Sequence, residues 1–231
     1  MEVSRPDDGR RGSYKVSDGT RRRLLDAALG LFASQGFAAT SVRQLADEAK
    51  VAVPAIAYHF NDKAGLYRAC AIHVIKRYRE HMGPMLDELG DLQGIYSAEQ
   101  ARAALLRVTL GLSETLVSRD ASEPWAAFMM REMQVGGPGY DLMLERLWLP
   151  GLDLIAALVS RSRGRDEVLL VDKILALQLL SGLNWQGGAR KVAEDFLGQP
   201  LDTISSATMA SQLEILIGTI TTTGAGATAR S

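Results

Sequence analysis

The sequence predicts an all-α protein in which a small N-terminal three-helix unit precedes a larger helical region. Apolar residues recur at helical spacing almost everywhere between residues 20 and 222. No convincing segment alternates strictly between apolar and polar residues, as a half-buried β-strand would. With 231 residues, of which 47% are hydrophobic and 23% charged, the chain can bury a sizeable core.

The two ends of the chain lack this periodicity. Residues 1–19 are rich in Arg, Asp, Gly and Ser, and residues 223–231 are small and polar. We therefore expect a disordered basic arm and a disordered tail. Between them, residues 20–66 form the predicted three-helix unit and residues 67–222 form the larger helical domain.

The first two helices carry clear end signals. Thr20 caps the first helix, whose apolar stripe runs through residues 24–32, and Gly36 follows as a left-handed terminator. Ser41 and Gln44 have the spacing of a capping box, which predicts the start of a second helix.

A brief third helix is expected to end near Phe60, and Asp62 then caps a long fourth helix. The pair Gly83-Pro84 is expected to weaken or end this helix after Met82, because proline cannot donate the helical hydrogen bond.

Five further helices are predicted in the larger domain, and Pro150 predicts a kink or break inside one of them. These helices are expected near residues 98–118, 124–135, 140–162, 167–188 and 204–222.

Charge is distributed unevenly along the chain. Residues 1–82 contain 14 Lys and Arg against 9 Asp and Glu, whereas residues 83–231 contain 12 against 18. A basic N-terminal part is typical of a phosphate-binding surface, although an ordinary solvated surface has the same balance.

The sequence gives little support to several classes of function. Cys70 is the only cysteine, which excludes an intramolecular disulfide and a thiolate zinc site and is typical of a reducing compartment. His73 and His81 lack the i, i+4 spacing of a zinc pair, and neither a nucleophile elbow nor a Walker loop is visible. We expect no enzyme, metal site or cofactor. Without a long apolar segment or a secretory signal, we expect a cytoplasmic protein with no membrane partner.

The second and third predicted helices have the spacing of a DNA-binding helix-turn-helix. Leu45 and Ala46 form the inner face of the first of these, Val51 fills the turn, and Ile56 anchors the second. Lys50 takes the turn position usually held by glycine, where a left-handed backbone would cost about 1 kcal/mol. The outer residues of the following helix would project toward a major groove.

Two sequence runs carry a family resemblance. The run TSVRQLADEA at residues 40–49, followed by YHFNDKAGLY at residues 58–67, resembles the N-terminal domain of the TetR family. The resemblance implies a homodimer whose two recognition helices bind successive major grooves of a near-palindromic, double-stranded operator. It also implies a divergent C-terminal domain for dimer contacts and a small-molecule effector. The expected function is that of a ligand-responsive transcriptional regulator, with repression the expected mode.

The motif and the resemblance together predict eleven DNA-contacting residues. Thr40 and Tyr58 would hydrogen-bond phosphates, and His59 would do the same or brace the turn. Lys63 would contact the DNA backbone, and Arg43 is the best candidate for base readout by a side chain. The full set is Thr40, Ser41, Arg43, Lys50, Ala52, Val53, Pro54, Ala57, Tyr58, His59 and Lys63.

The recognition helix departs from the family pattern at two positions. Ala52 stands where a capping hydroxyl or amide is common, and Ala57 replaces a frequently aromatic or polar residue. The helix therefore offers few hydrogen-bonding side chains. Specificity is expected to rest on methyl contacts, Arg43 and DNA shape. For Phe60, core packing is favoured over a DNA contact.

The C-terminal part resembles the CecR-like branch of TetR regulators. The similar residues are Met130–Met133, Pro138–Asp141, Pro150 and the segment 178–193. This branch implies repression, with dual control as a further mode, of genes that include exporters.

Aromatic and methionine side chains in this part could line a pocket, because such groups form adaptable apolar walls. Ordinary core packing is the alternative for each of them. The predicted ligand-binding residues are Trp125, Phe128, Met129, Met133, Tyr140, Trp148 and Trp185.

Two segments carry wide apolar faces. These faces suit either a four-helix bundle with a second copy of the chain or the core of the monomer itself. The residues concerned are Val168, Val171, Leu175, Leu179, Leu213, Leu216, Ile217 and Ile220.

Two other functions stay open at this stage. A helical pocket can host an enzyme, and a helical small-molecule-binding protein can retain a helix-turn-helix only as scaffold. DNA binding that disappears when Tyr58 and Lys63 are replaced would exclude the scaffold alternative.

Overall fold

A computed structural model describes residues 8–89, 97–117, 124–188 and 190–222. Every regular element within these ranges is helical, which confirms the all-α prediction. The elements are α1 (Asp8–Ala39), α2 (Val42–Glu48), α3 (Pro54–Phe60), α4 (Lys63–Leu89), α5 (Ala98–Val117), α6 (Pro124–Val135), α7 (Tyr140–Met143), a π-helical turn (Leu144–Trp148), α8 (Leu149–Ser162), α9 (Leu170–Gly188), α10 (Arg190–Leu197), a 3-10 turn (Leu201–Thr203) and α11 (Ser206–Thr222).

Packing divides the chain into two compact units. The first takes the described residues within Met1–Val74 and Pro124–Leu142, and the second takes those within Ile75–Glu123 and Met143–Ser231. The first unit therefore contains α1 to α3, the start of α4, and α6. The functional boundaries predicted at residues 20 and 67 stay predictions, because compactness alone does not assign function.

An aromatic cluster forms the centre of the first unit. The ring centroids of Phe32 and Tyr67 lie 4.6 Å apart, and those of Tyr67 and Phe128 lie 4.9 Å apart, which joins α1, α4 and α6. The fully buried Sγ of Cys70 lies 4.0 Å from the carbonyl oxygen of Leu25. Burial raises the pKa of the Cys70 thiol, as expected of a structural cysteine.

Gly36 allows α6 to approach the end of α1. Its φ of 81° and ψ of 175° are non-helical, so α1 is interrupted at the residue where the sequence predicted the end of the first helix. A Cβ at this position would lie 2.7 Å from Nε of Arg131. The Arg131 guanidinium donates to the carbonyl oxygen of Gln35 at 3.2 Å. A side chain at residue 36 would therefore displace this contact, in addition to straining the backbone.

The N-terminal arm is more helical than its composition suggested. Residues 8–19 were expected to be disordered, but α1 begins at Asp8. Extending an established helix needs only one more hydrogen bond per residue, so poor helix formers are tolerated at its end. Residues 1–7 of the predicted arm and the predicted tail, 223–231, lie outside the described residues.

The long helix also exceeds its prediction. It does not end after Met82 but runs to Leu89 with Pro84 inside it. Proline removes a single helical hydrogen bond, and the turns on either side keep theirs. The predicted cap at the start is confirmed, since Oδ1 of Asp62 accepts the Gly65 N–H at 2.7 Å.

In the second unit, helices α5, α8, α9 and α11 pack against one another. Alanine, valine, leucine and isoleucine side chains fill the space between them. The buried cluster consists of Ala104, Leu105, Val108, Ile155, Ala156, Leu158, Val159, Ala176, Leu179 and Ile217.

The break predicted at Pro150 takes the form of a π-helical turn, Leu144–Trp148, between α7 and α8. Pro150 has no N–H to donate to the carbonyl oxygen of Arg146. The guanidinium of Arg79 donates to that oxygen instead, at 3.2 Å. Widened turns of this kind accommodate such an interruption.

A buried carboxylate closes the loop between α8 and α9. Asp172 is fully buried, and its Oδ1 pairs with Arg165 and lies 3.7 Å from Nη1 of Arg163. Its Oδ2 accepts the Leu169 N–H at 2.9 Å, just before α9 begins. This bond is the reciprocal half of a capping box, so the same carboxylate fixes both the loop and the helix start.

The apolar faces predicted on α9 and α11 are used chiefly within the monomer. Leu179, Leu213 and Ile217 are buried, so the core alternative is correct for these residues. Val168, Leu175, Leu216 and Ile220 are partly buried against the same core. Of the predicted set, Val171 is exposed, and further exposed apolar residues are Leu170, Ile174, Leu177 and Ile215.

The short helix α10 was not predicted. It has only two turns, too few for its apolar spacing to be distinguished from a loop. Oε1 of Glu194 accepts the Leu201 N–H at 3.1 Å and so ties α10 to the following 3-10 turn.

Candidate nucleic-acid interface

The capping box at the start of α2 is present as predicted. Oγ of Ser41 accepts the Gln44 N–H at 3.2 Å, and Oε1 of Gln44 accepts the Ser41 N–H at 2.8 Å. Leu45 and Ala46 are buried on the inner face of the helix. Arg43 lies on the exposed side of α2.

The turn between α2 and α3 has the expected left-handed residue. Lys50 has a φ of 53°, and its N–H donates to the Asp47 carbonyl oxygen at 3.1 Å. The Val51 N–H reaches back to the Ala46 carbonyl oxygen at 3.0 Å. These bonds set the angle at which α3 leaves α2.

Helix α3 has a clearly divided surface. Ile56 and Phe60 are buried, as expected, and the Arg21 guanidinium carbon lies 5.1 Å from the Phe60 ring centroid. The opposite side consists of Val53, Pro54, Ala57 and Tyr58, which are all exposed; Tyr58 is 81% exposed and Val53 is 43% exposed. We call these four residues the outer stripe.

Two residues that were predicted to contact DNA form hydrogen bonds within the protein. Thr40 is only 1% exposed, and its hydroxyl donates to the Gly36 carbonyl oxygen at 2.7 Å. The Lys63 ammonium donates to the carbonyl oxygens of Phe37 and Thr40 at 2.8 and 2.9 Å. Both side chains therefore help to fix the end of α1, and their phosphate contacts stay predictions.

The remaining predicted DNA residues lie around the stripe. Ala52 is exposed immediately before it. His59 is half-buried, with its ring centroid 4.9 Å from that of Tyr58 in an edge-to-face arrangement. Ser41 is exposed, but its hydroxyl is used in the capping box.

A buried polar pair in the first unit was not predicted. Glu132 on α6 is 1% exposed and accepts a hydrogen bond from the Tyr67 hydroxyl. Burial, and then the adjacent carboxylate, raise the pKa of Tyr67. A Cβ at Gly137 would lie 2.8 Å from the Tyr67 hydroxyl oxygen, so the loop after α6 needs glycine there. The sequence gives no signal that pairs residues 65 positions apart.

The predicted ligand-binding residues divide between the two units. Trp125, Phe128 and Met129 are buried on α6 in the first unit. Met133 and Tyr140 are half-buried in the first unit, and Trp148 is half-buried in the second. The side chain of Trp185 lies outside the described residues. Burial of the first three is the ordinary core packing that was the alternative for each of them.

Residues 8–89, 97–117, 124–188 and 190–222 contain no candidate membrane span and no candidate metal site. No helix there is long and apolar enough to cross a membrane. No three His, Cys, Asp or Glu residues are grouped there so as to hold a metal ion.

Sequence comparison covers the helix-turn-helix. Residues 24–70 match the model of a family described as bacterial regulatory proteins, tetR family. The N-terminal part of the chain therefore carries a helix-turn-helix domain of the TetR type. The residues that carried the resemblance lie largely within the matched segment, whose α2, turn and α3 form the family's DNA-binding motif.

Relatives of this chain include the HTH-type transcriptional dual regulator CecR of Shigella flexneri. CecR is 28% identical over 148 residues, which are 63% of this chain and 66% of CecR. The HTH-type transcriptional regulator AcrR of Shigella flexneri is 46% identical over 48 residues, which are 21% of this chain and 22% of AcrR. The chain thus matches less than two thirds of the length of either relative.

Solved structures with a similar helical fold cover most of the chain. The crystal structure of AibR in complex with isovaleryl coenzyme A and operator DNA aligns with a TM-score of 0.57 and 16% identity. The alignment covers 84% of this chain and 96% of AibR. At this identity the likeness concerns the fold alone.

Proposed function

We propose that the chain is a ligand-responsive transcriptional regulator, acting as a repressor, that binds a near-palindromic operator as a homodimer in the cytoplasm. The observation that carries this proposal is the outer stripe of α3. A helix that is anchored by Ile56 and Phe60 and exposed along its opposite side has the shape that a major groove admits.

Cationic and hydrogen-bonding groups flank the stripe. Arg43 and Lys50 are exposed on one side of it, and the Tyr58 hydroxyl lies at its C-terminal end. In the proposed complex Arg43 reaches a base edge or phosphate, while Lys50 and Tyr58 contact phosphates. Ser41 caps α2, and Thr40 and Lys63 fix the end of α1 that precedes it. Ala52 lies close to the groove.

Homodimer formation is supported by exposed apolar side chains in the second unit. Leu170, Ile174 and Leu177 recur at i, i+4 and i+7 on α9, and Leu170 is 75% exposed. On α11, Ile215 is 71% exposed. Aliphatic side chains at helical spacing form a stripe that a matching stripe of a second copy would bury.

The proposed regulator also binds an effector. The effector is a small molecule of unidentified structure, and the residues predicted to contact it include Met133, Tyr140, Trp148 and Trp185. AibR, whose structure contains both isovaleryl coenzyme A and operator DNA, is an example of this fold with both kinds of ligand.

A gel shift with the purified chain tests DNA binding directly. DNA from upstream of its own gene is the probe, and scrambled DNA is the competitor. We expect specific retardation that Arg43→Ala abolishes and that Arg107→Ala, an exposed arginine on α5, leaves intact. Equal retardation of scrambled DNA, or equal effects of the two substitutions, would contradict the proposal.

A further inference from the structure

The part of α3 that would face the bases is aliphatic. The N-terminal residues of a recognition helix are those that contact base edges. Here these residues are Val53, Pro54 and Ala57, all exposed and none with a hydrogen-bonding side chain. Tyr58, the only polar member of the outer stripe, lies at its C-terminal end.

Most nearby polar side chains do not supply the hydrogen-bonding groups that the N-terminal part of α3 lacks. Gln44 and Ser41 hydrogen-bond each other's backbone N–H groups in the capping box. Thr40 and Lys63 are bound to carbonyl oxygens at the end of α1. Within residues 40–63, all of which the structure describes, Arg43 is left as the exposed side chain best suited to read base edges by hydrogen bonding.

We infer that α3 recognises thymine through its C5-methyl groups, which contact Val53, Pro54 and Ala57. This inference rests on the proposed operator binding and specifies which bases the operator contains. The thymine methyl is the apolar group that the major groove presents, and it distinguishes T·A from the other pairs by van der Waals contact. Each half-site therefore carries thymine where it meets the aliphatic part of the outer stripe.

Burial of one methyl group corresponds to about a fourfold change in affinity. Removing single thymine methyl groups should therefore produce a measurable loss. Deoxyuridine is the suitable probe, because it keeps every hydrogen-bonding group of thymine and lacks only the methyl.

The experiment begins with selection of duplexes from a random pool by the purified full-length chain. Binding of the selected duplex is then measured by fluorescence anisotropy, with each thymine replaced in turn by deoxyuridine. We expect about fourfold weaker binding at each contacted half-site thymine. Thymines in the flanking sequence should tolerate replacement.

Two variants distinguish methyl contact from DNA shape. Val53→Ala should reduce the deoxyuridine penalty at its contacted position, because the partner of the methyl has been shortened. Val135→Ala makes the same change at a 70% exposed valine on α6 and should retain the full penalty. Circular dichroism of both variants checks that the fold is unchanged.

The outcomes separate the two proposals. Specific binding that is insensitive to every deoxyuridine replacement would overturn methyl recognition and leave operator binding standing. An undiminished penalty in Val53→Ala would assign the effect to DNA shape and also overturn it. If no sequence is enriched over the random pool, both proposals fail.

Discussion

The two compact units expose apolar side chains of different kinds. In the first unit the outer stripe of α3 presents small aliphatic groups at Val53, Pro54 and Ala57, with Arg43 and Lys50 nearby. In the second unit, α9 and α11 present large ones, including Leu170. Small groups beside cations suit a polyanion that carries isolated methyl groups, whereas a stripe of large groups suits a second apolar surface.

The units also differ in the hydrogen bonds that their polar side chains form. Around the helix-turn-helix, Ser41, Thr40 and Lys63 bind backbone groups at close range, so local chain geometry is fixed. In the second unit Asp172 is paired with two guanidinium groups across a loop. The first arrangement sets a precise helix position, and the second holds a loop closed. Four predictions test this contrast.

The largest effect is expected from charge in the apolar stripe of α9. Leu170→Glu combined with Ile174→Glu should weaken dimerisation about 100-fold or more, because both carboxylates would lose hydration in the interface. Analytical ultracentrifugation measures the dissociation constant. Val135→Glu, at an exposed position on α6, is the matched control. An unchanged dimer would place the interface elsewhere.

Asp172→Ala should lower the free energy of unfolding by about 3 kcal/mol, because Arg163 and Arg165 would lose the carboxylate that they share in a buried site. Urea denaturation of the purified protein measures the change. Asp153→Ala, at an exposed position on α8, should have almost no effect. A similar loss in both variants would mean that the pairing contributes nothing specific.

Lys63→Met should lower the free energy of unfolding by about 2 kcal/mol, because the carbonyl oxygens of Phe37 and Thr40 would lose their charged donor. Arg43→Ala should leave stability unchanged and weaken operator binding. Thermal unfolding and anisotropy on both variants separate these effects. If Lys63→Met weakens DNA binding without a loss of stability, that result would support the predicted phosphate contact and contradict the stabilising role.

The smallest effect is expected at the turn. Lys50→Gly should raise the free energy of unfolding by up to about 1 kcal/mol, because glycine adopts the left-handed conformation without strain. Lys50→Ala removes the same charge and keeps the Cβ, so the difference between the two variants isolates the backbone term. Equal stability of the glycine and alanine variants would contradict this explanation.

Local signals account for what the sequence predicted well. The capping box at Ser41 and Gln44, the left-handed Gly36 and Lys50, and the buried Ile56 all depend on neighbours within a few residues. The break at Pro150 was also predictable, because a missing N–H is a property of the residue itself. Its form was not predictable, since Arg79 approaches from another helix.

The sequence by itself determined the all-α class and the TetR-like helix-turn-helix, because helical periodicity and motif spacing are short-range properties. Only the tertiary structure decided which polar side chains form hydrogen bonds within the protein. The sequence alone suggests that Lys63 is a surface lysine, yet it donates to carbonyl groups more than 20 positions away. The tertiary structure also decided which apolar residues of α9 and α11 fill the monomer core, because that depends on where α5 and α8 pack against them.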